Sequence, residues 1–219
     1  MLRYMLCLPK WLLICIVLAI AFSFPLEQRA IFGGISTATL EVEIDLLQIG
    51  KWTALCSIPL LADGVILERS RQIELFCRLR VNKAQLRLGI VSTCAFCATV
   101  WAICICGTAV WRLGLKNGIQ FFLLFLPNLL LWSAVGLVGY TRSKKAAWSS
   151  CIPIALIGGF CLIGSYFPKL LPYLPSTWGM LSIALPCKGL WAMPFASFLS
   201  ATVFYLVFII YEEKQNGNY

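Results

Sequence analysis

The sequence predicts an all-α membrane protein of four to five transmembrane helices with a small antiparallel β-sheet in its first extracellular loop, and three observations lead there. Four uncharged, mostly apolar runs cover residues 88 to 111, 117 to 141, 146 to 168 and 189 to 211. A hydrocarbon core about 30 Å thick needs roughly 20 helical residues rising about 1.5 Å each, and every run meets that length. Hydrophobic residues make up 60% of the chain and charged residues 12%, with a mean hydropathy of +0.86, which is more apolar surface than a soluble core buries. The third observation is that residues 27 to 87 form the one substantial polar stretch, and parts of it alternate as strands do. Residues 1 to 219 are read as a single integral membrane domain.

The chain opens with a fifth apolar run, Trp11 to Leu26, behind Arg3 and Lys10. A basic start before a run this short also describes a secretory signal peptide, with Ala21, Ser23 and Ala30 as small residues near a cleavage point. Phe22, Phe24 and Pro25 stand where cleavage sites want small side chains, which favours a retained first helix over about residues 8 to 26.

The loop that follows is patterned. In residues 40 to 46, Leu40, Val42, Ile44 and Leu46 fall on one face of a strand and Glu41, Glu43 and Asp45 on the other. Residues 73 to 81 alternate again, with Arg78 and Arg80 opposite an aliphatic face. Antiparallel pairing sets the carboxylates across from the two arginines, each exposed pair worth about 0.2–1 kcal/mol. Residues 50 to 56 supply a middle strand with Trp52, Ala54 and Cys56 on one face. Glu41, Glu43, Asp45, Trp52, Arg78 and Arg80 are therefore the expected interaction surface.

Cys56 and Cys77 are the loop's only cysteines. In an oxidising compartment a bridge between them closes about 21 residues, worth about 3 kcal/mol in the chain-entropy model; an intracellular loop leaves two free thiols. Of the others, Cys94 and Cys97 have CxxC spacing, but with no basic residue nearby they read as small packing residues.

Gly50, Trp52, Cys56 and Cys77, together with Lys83-Ala84-Gln85-Leu86-Arg87-Leu88 at the entry to the second helix, resemble the claudin and peripheral-myelin-protein tetraspan superfamily. The resemblance covers residues 1 to about 141. Lys51 stands where that family has Leu, and three residues rather than two separate Trp52 from Cys56. The resemblance implies an exterior sheet stapled by Cys56 and Cys77, and a role in cell contact or as an accessory subunit.

Orientation follows from the loop. A cytosolic N-terminus puts Arg112, Lys116, Lys169 and Lys188 inside and Arg142, Lys144 and Lys145 outside, while Arg78, Arg80, Lys83 and Arg87 argue for the reverse. An exterior loop is expected on its strands and its cysteine pair.

The chemistry is sparse. There is no His, so the commonest metal ligand and general base is missing, and no Asp, Glu, Lys or Arg lies within the four longest runs. Neither catalytic residues, cofactors nor metals are expected. The 18 Lys and Arg against 9 Asp and Glu are scattered among the connections, which excludes a stripe tracking nucleic acid. Asn128 behind Pro127, with Gln120 and Ser133, is the clearest polar group inside a run. Pro168, Pro172 and Pro175 make the stretch up to Lys188 a broken amphipathic connection with interfacial aromatics.

The expected function is that of a non-catalytic, multi-pass membrane interaction protein, claudin-like, in the plasma membrane. Its partners are the lipid bilayer and another membrane protein, a channel, a receptor or a like subunit. The alternative is a small transporter or membrane-embedded enzyme for a lipid or apolar substrate, working near Pro127 and Asn128.

Overall fold

A computed structural model describes residues 46–77, 83–180 and 192–216. Five long helices run through it: α1 Leu46–Cys77, α2 Lys83–Leu113, α3 Leu115–Ser143, α4 Ala146–Tyr166 and α5 Ala192–Asn216. Two 3-10 turns, Pro168–Tyr173 and Pro175–Thr177, follow α4. Each long helix contains a stretch long and apolar enough to cross a membrane: residues 49–72, 85–111, 115–143, 146–166 and 192–211. The protein is a multi-pass integral membrane protein.

The four runs read as spans are the cores of α2 to α5. The described residues hold no exterior sheet. Among the described residues no strand occurs, and the middle strand together with the start of the third falls inside α1. Residues 40 to 45 and 78 to 82, and with them Glu41, Glu43, Asp45, Arg78 and Arg80, lie outside the described residues, as does the first helix over 8 to 26. The physical reason lies between the supposed strands. From Trp52 to Leu67 the chain has a single charged residue, Asp63, and lipid closes the backbone hydrogen bonds of such a run most easily as a helix. Trp52, expected on an exterior surface, is 2% exposed in the core. The disulfide fails with the sheet. Cys56 and Cys77 sit 21 residues apart on one helix, about 31 Å at 1.5 Å per residue, far beyond the reach of a bridge, and Cys56 is a buried free thiol.

Short connections fix the topology. Gly114 alone joins α2 to α3, at φ +84°, a left-handed geometry that glycine adopts without penalty. Lys144 and Lys145 alone join α3 to α4; Lys144 takes φ 54° and its N–H donates to Tyr140 O at 2.7 Å. Neighbouring helices are therefore antiparallel. The C-terminal ends of α1, α3 and α5 lie with the N-terminal ends of α2 and α4, as the bond from Arg87 to Ile209 O and the contact of Gly64 with Ser150 show. α3 is the most enclosed helix and packs on all four others, while α5 is the least enclosed.

Prolines shape the interior. Pro59 in α1 has no N–H to give Leu55 O, and the Trp101 indole of α2 donates to that carbonyl at 3.1 Å. Pro153 likewise leaves Ser149 O without its helical donor, and this carbonyl faces Gly136 so closely that a Cβ there would lie 2.2 Å from it. Two apolar clusters result. One holds Trp52, Leu60, Trp101, Phe121, Phe125 and Trp132; the other holds Ile66, Leu67, Ile90, Leu137 and Phe208, nearer the end where α1 finishes.

Candidate intramembrane site

At the seam between the two clusters lies a carboxyl group. Asp63 follows Leu60 of one cluster and precedes Ile66 of the other, within the membrane-crossing stretch of α1, and is 1% exposed. Pro59 stands one turn before it, and Trp101 docks on Leu55 O, the carbonyl that Pro59 leaves without a helical donor.

Three helices present protic side chains to that carboxyl: Cys94 from α2, Ser133 from α3 and Tyr205 from α5, with Ser133 and Tyr205 also facing one another. They are close enough to act on the carboxyl electrostatically, yet none is seated in hydrogen-bond geometry. Both Asp63 oxygens, Ser133 Oγ and Tyr205 OH are buried without a hydrogen-bond partner among the described residues. Gly64, the next residue, packs against α4, where a Cβ would meet Ser150 Oγ at 2.8 Å; Ser150 itself donates to Leu60 O at 2.7 Å. Five helices thus converge on one polar layer.

The electrostatics are decisive. An ionised Asp at the centre of a membrane helix costs about 2.5–3.5 kcal/mol on insertion scales, and hydroxyl hydrogen bonds return about 1 kcal/mol each. No cation pairs with Asp63 among the described residues. The nearest buried one is Arg87, two turns before Cys94 on the same face of α2, about 10 Å along the helix. The apolar cluster of Ile66, Leu67, Ile90, Leu137 and Phe208 fills the space between. Among the described residues nothing neutralises a charge on Asp63.

Asn128, the polar residue singled out in the sequence, belongs elsewhere. It is 0% exposed and its Nδ2 donates to Pro175 O at 2.6 Å, while Gly179 covers it. Trp52 Nε1 donates to Ser176 O at 3.2 Å, Trp178 Nε1 to Pro172 O at 3.0 Å, and Thr177 Oγ1 to Leu174 O and Leu171 O. These bonds seat the 3-10 turns against α1 and α3 and close the far end of the bundle. The stack of Phe121 on Phe125 and the edge contact of Trp52 with Phe125 complete the seat. Asn128 is a structural clamp, and Gln120 stands two turns away, half-buried.

Of the residues expected at a site, Trp52 and Cys56 enter the core beside Cys161, and Cys77 ends α1. Cys94 and Cys97 are both buried, Cys94 against Asp63. Among the described residues no group of three His, Cys, Asp or Glu gathers as a metal site. Asp63 was the residue missed. Its signal in the sequence is its place as the one charge within the run from Trp52 to Leu67.

No protein-family model, curated protein or solved structure matches this chain.

Proposed function

We propose that the protein is a small, non-catalytic membrane carrier in which Asp63 takes up and releases a proton. One observation carries this reading: a buried carboxyl within a membrane span, without counter-ion or hydrogen bond among the described residues, faced by three protic side chains from three other helices. Ionisable groups inside spans are costly and are kept where they serve a pathway or relay. A proton suits the neighbourhood better than a metal ion. Calcium asks for six to eight oxygens, whereas Asp63, Ser133 and Tyr205 offer four side-chain oxygens. Cys94, Ser133 and Tyr205 each bear an exchangeable hydrogen through which a proton can be handed on.

Reconstituted protein tests the reading. An imposed membrane potential is expected to drive proton flux into proteoliposomes, and Asp63→Asn to abolish it without loss of folding. Infrared difference spectra should show the carboxyl band of Asp63, identified by its loss in Asp63→Asn, changing as buffer pH changes. A band indifferent to pH would mark an inert carboxyl and end the proposal.

A second reading rests on α5. Its outer face exposes Phe195, Phe198, Leu199, Val203, Leu206 and Ile210 on the least enclosed helix, and a lateral protein partner there makes this chain an accessory subunit of a channel or receptor. Co-purification of one stoichiometric membrane partner, lost on Phe198→Ser, favours it. Gly50, Trp52, Cys56 and Cys77, which carry the claudin resemblance, all lie in α1, so among the described residues no exterior sheet supports a role in cell contact.

A further inference from the structure

One end of the bundle gathers the basic residues. Arg69 and Arg71 lie near the end of α1, and Lys83 and Arg87 at the start of α2. Arg142, Lys144 and Lys145 lie at the turn from α3 to α4, on the same side. The opposite end of the described helices and turns has Lys51, Arg112, Lys116 and Lys169. Counted over the described residues by Lys and Arg near span ends, which is the count that sets orientation, the balance favours the first end as the cytosolic one. This inverts the orientation expected from an exterior loop, because the segment assigned to that loop contains a span.

Part of this end is shaped for lipid. Arg142, Lys144 and Lys145 are all exposed within four consecutive residues, and Arg71 is exposed on the neighbouring α1. The left-handed turn at Lys144 holds two adjacent lysines at the rim instead of burying one in a longer helix. Trp148, one turn into α4, is 48% exposed. An indole at that depth marks the level of the headgroups. Glu68 and Glu74 of α1, of which Glu68 is exposed, and Glu212 and Glu213 in the last turns of α5 lie at the same end, and the basic residues there outnumber them. Clustered cations immediately outside a cytosolic membrane face attract anionic headgroups by about 1 kcal/mol per Lys or Arg.

We propose that this rim faces the cytosol and that Arg142, Lys144 and Lys145, with Trp148 as anchor, bind the headgroup of an anionic phospholipid. The proposal is independent of Asp63. Short-chain phosphatidylserine and phosphatidylcholine carrying one fluorophore, titrated onto the full-length protein in mild detergent, provide the test. Phosphatidylserine is expected to bind more tightly. The variant R142Q/K144Q/K145Q is expected to lose that preference by about fivefold per charge removed, while K116Q/K169Q at the opposite end keeps it. Should the triple variant fail to fold, R142Q and K144Q singly are expected each to lose a smaller part. Equal binding of the two lipids, or equal loss in the two multiple variants, would overturn the proposal. Displacement of the lipid by inorganic phosphate at matching concentration would overturn it too, as the sign of a simple anion site. Lys144 and Lys145 should resist a membrane-impermeant amine reagent in sealed cells and react after permeabilisation; labelling in sealed cells would refute the orientation.

Discussion

Replacing Trp101 by Phe tests whether its indole serves the carbonyl that Pro59 frees in α1. Pro59 deprives Leu55 O of its helical donor, and the Trp101 indole supplies one from α2 at 3.1 Å. Phe keeps the ring but has no N–H, so a buried carbonyl is left unmade at a cost of about 1–3 kcal/mol, with a smaller contribution from lost indole packing. If the indole serves the freed carbonyl, the cost must depend on Pro59. In Pro59→Ala the Ala N–H returns to Leu55 O, and Trp101→Phe in that background should cost only the packing part. The double-mutant cycle should therefore show a coupling of about 1–2 kcal/mol, well above the roughly 0.3–0.5 kcal/mol scatter of independent sites. Unfolding midpoints of the four proteins in mixed detergent, monitored by circular dichroism, supply the cycle. Additive losses would refute the reasoning, and a Pro59→Ala single variant more stable than the parent would leave it standing.

Three further outcomes follow from the same packing. Asp63→Asn preserves volume and breaks no hydrogen bond among the described residues, so its unfolding midpoint should stay within about 1 kcal/mol of the parent, whereas Ser150→Ala loses the bond to Leu60 O and should cost about 1 kcal/mol; an Asp63→Asn protein weaker by more than about 2 kcal/mol would show the carboxyl to be structural. Gly136→Ala puts a Cβ 2.2 Å from Ser149 O and should cost about 1–3 kcal/mol in the same assay, while Gly159→Ala, with nothing within 4 Å, should be neutral or stabilising; equal effects would mean that α3 and α4 are not in close contact at Gly136. Asn128→Leu removes the 2.6 Å bond to Pro175 O and should free the 3-10 turns, read as faster cleavage by protease between residues 168 and 180 with α2 and α3 intact; unchanged cleavage would deny Asn128 the role of clamp.

Where the chain is uniform it is easily read. Residues 88 to 111, 117 to 141, 146 to 168 and 189 to 211 announce their helices because length and apolarity leave lipid no other backbone to accept. Gly114 and the Lys144–Lys145 pair, by their shortness, already imply antiparallel neighbours. α1 was hidden for a physical reason. Lys51, Asp63, Glu68, Arg69 and Arg71 dilute its hydropathy, and its last residues alternate in the manner of a strand. Alternation over a few residues is a weak signal beside the cost of leaving backbone groups unpaired in hydrocarbon. A helix satisfies those groups by itself, while a strand needs neighbours. The bonds that clamp Asn128 and Trp52 to the 3-10 turns join residues 47 and 124 apart, and no local pattern announces such partners.

The same dilution of α1 conceals the site in the sequence. Excluding ionisable chemistry from the four longest runs is correct for those runs, since none of them contains an Asp, Glu, Lys or Arg. It is a statement about four helices, and the bundle has at least five. Once α1 is counted, its one mid-span charge is carried to the seam where α2, α3 and α5 converge, and each of those helices contributes an uncharged, protic residue: Cys94, Ser133 and Tyr205. Taken singly these are ordinary packing residues, and no local pattern groups them. Asp63 is what groups them, because each acts on its carboxyl from a different helix. An apolar plug separates this layer from Arg87 toward the basic rim, and the clamped 3-10 turns close the far end. Any proton that reaches Asp63 from the rim must pass the layer of Ile66, Leu67, Ile90, Leu137 and Phe208, so replacing Leu137 by Ser should speed exchange at Asp63 if that layer is the barrier, and leave it unchanged if the proton enters elsewhere.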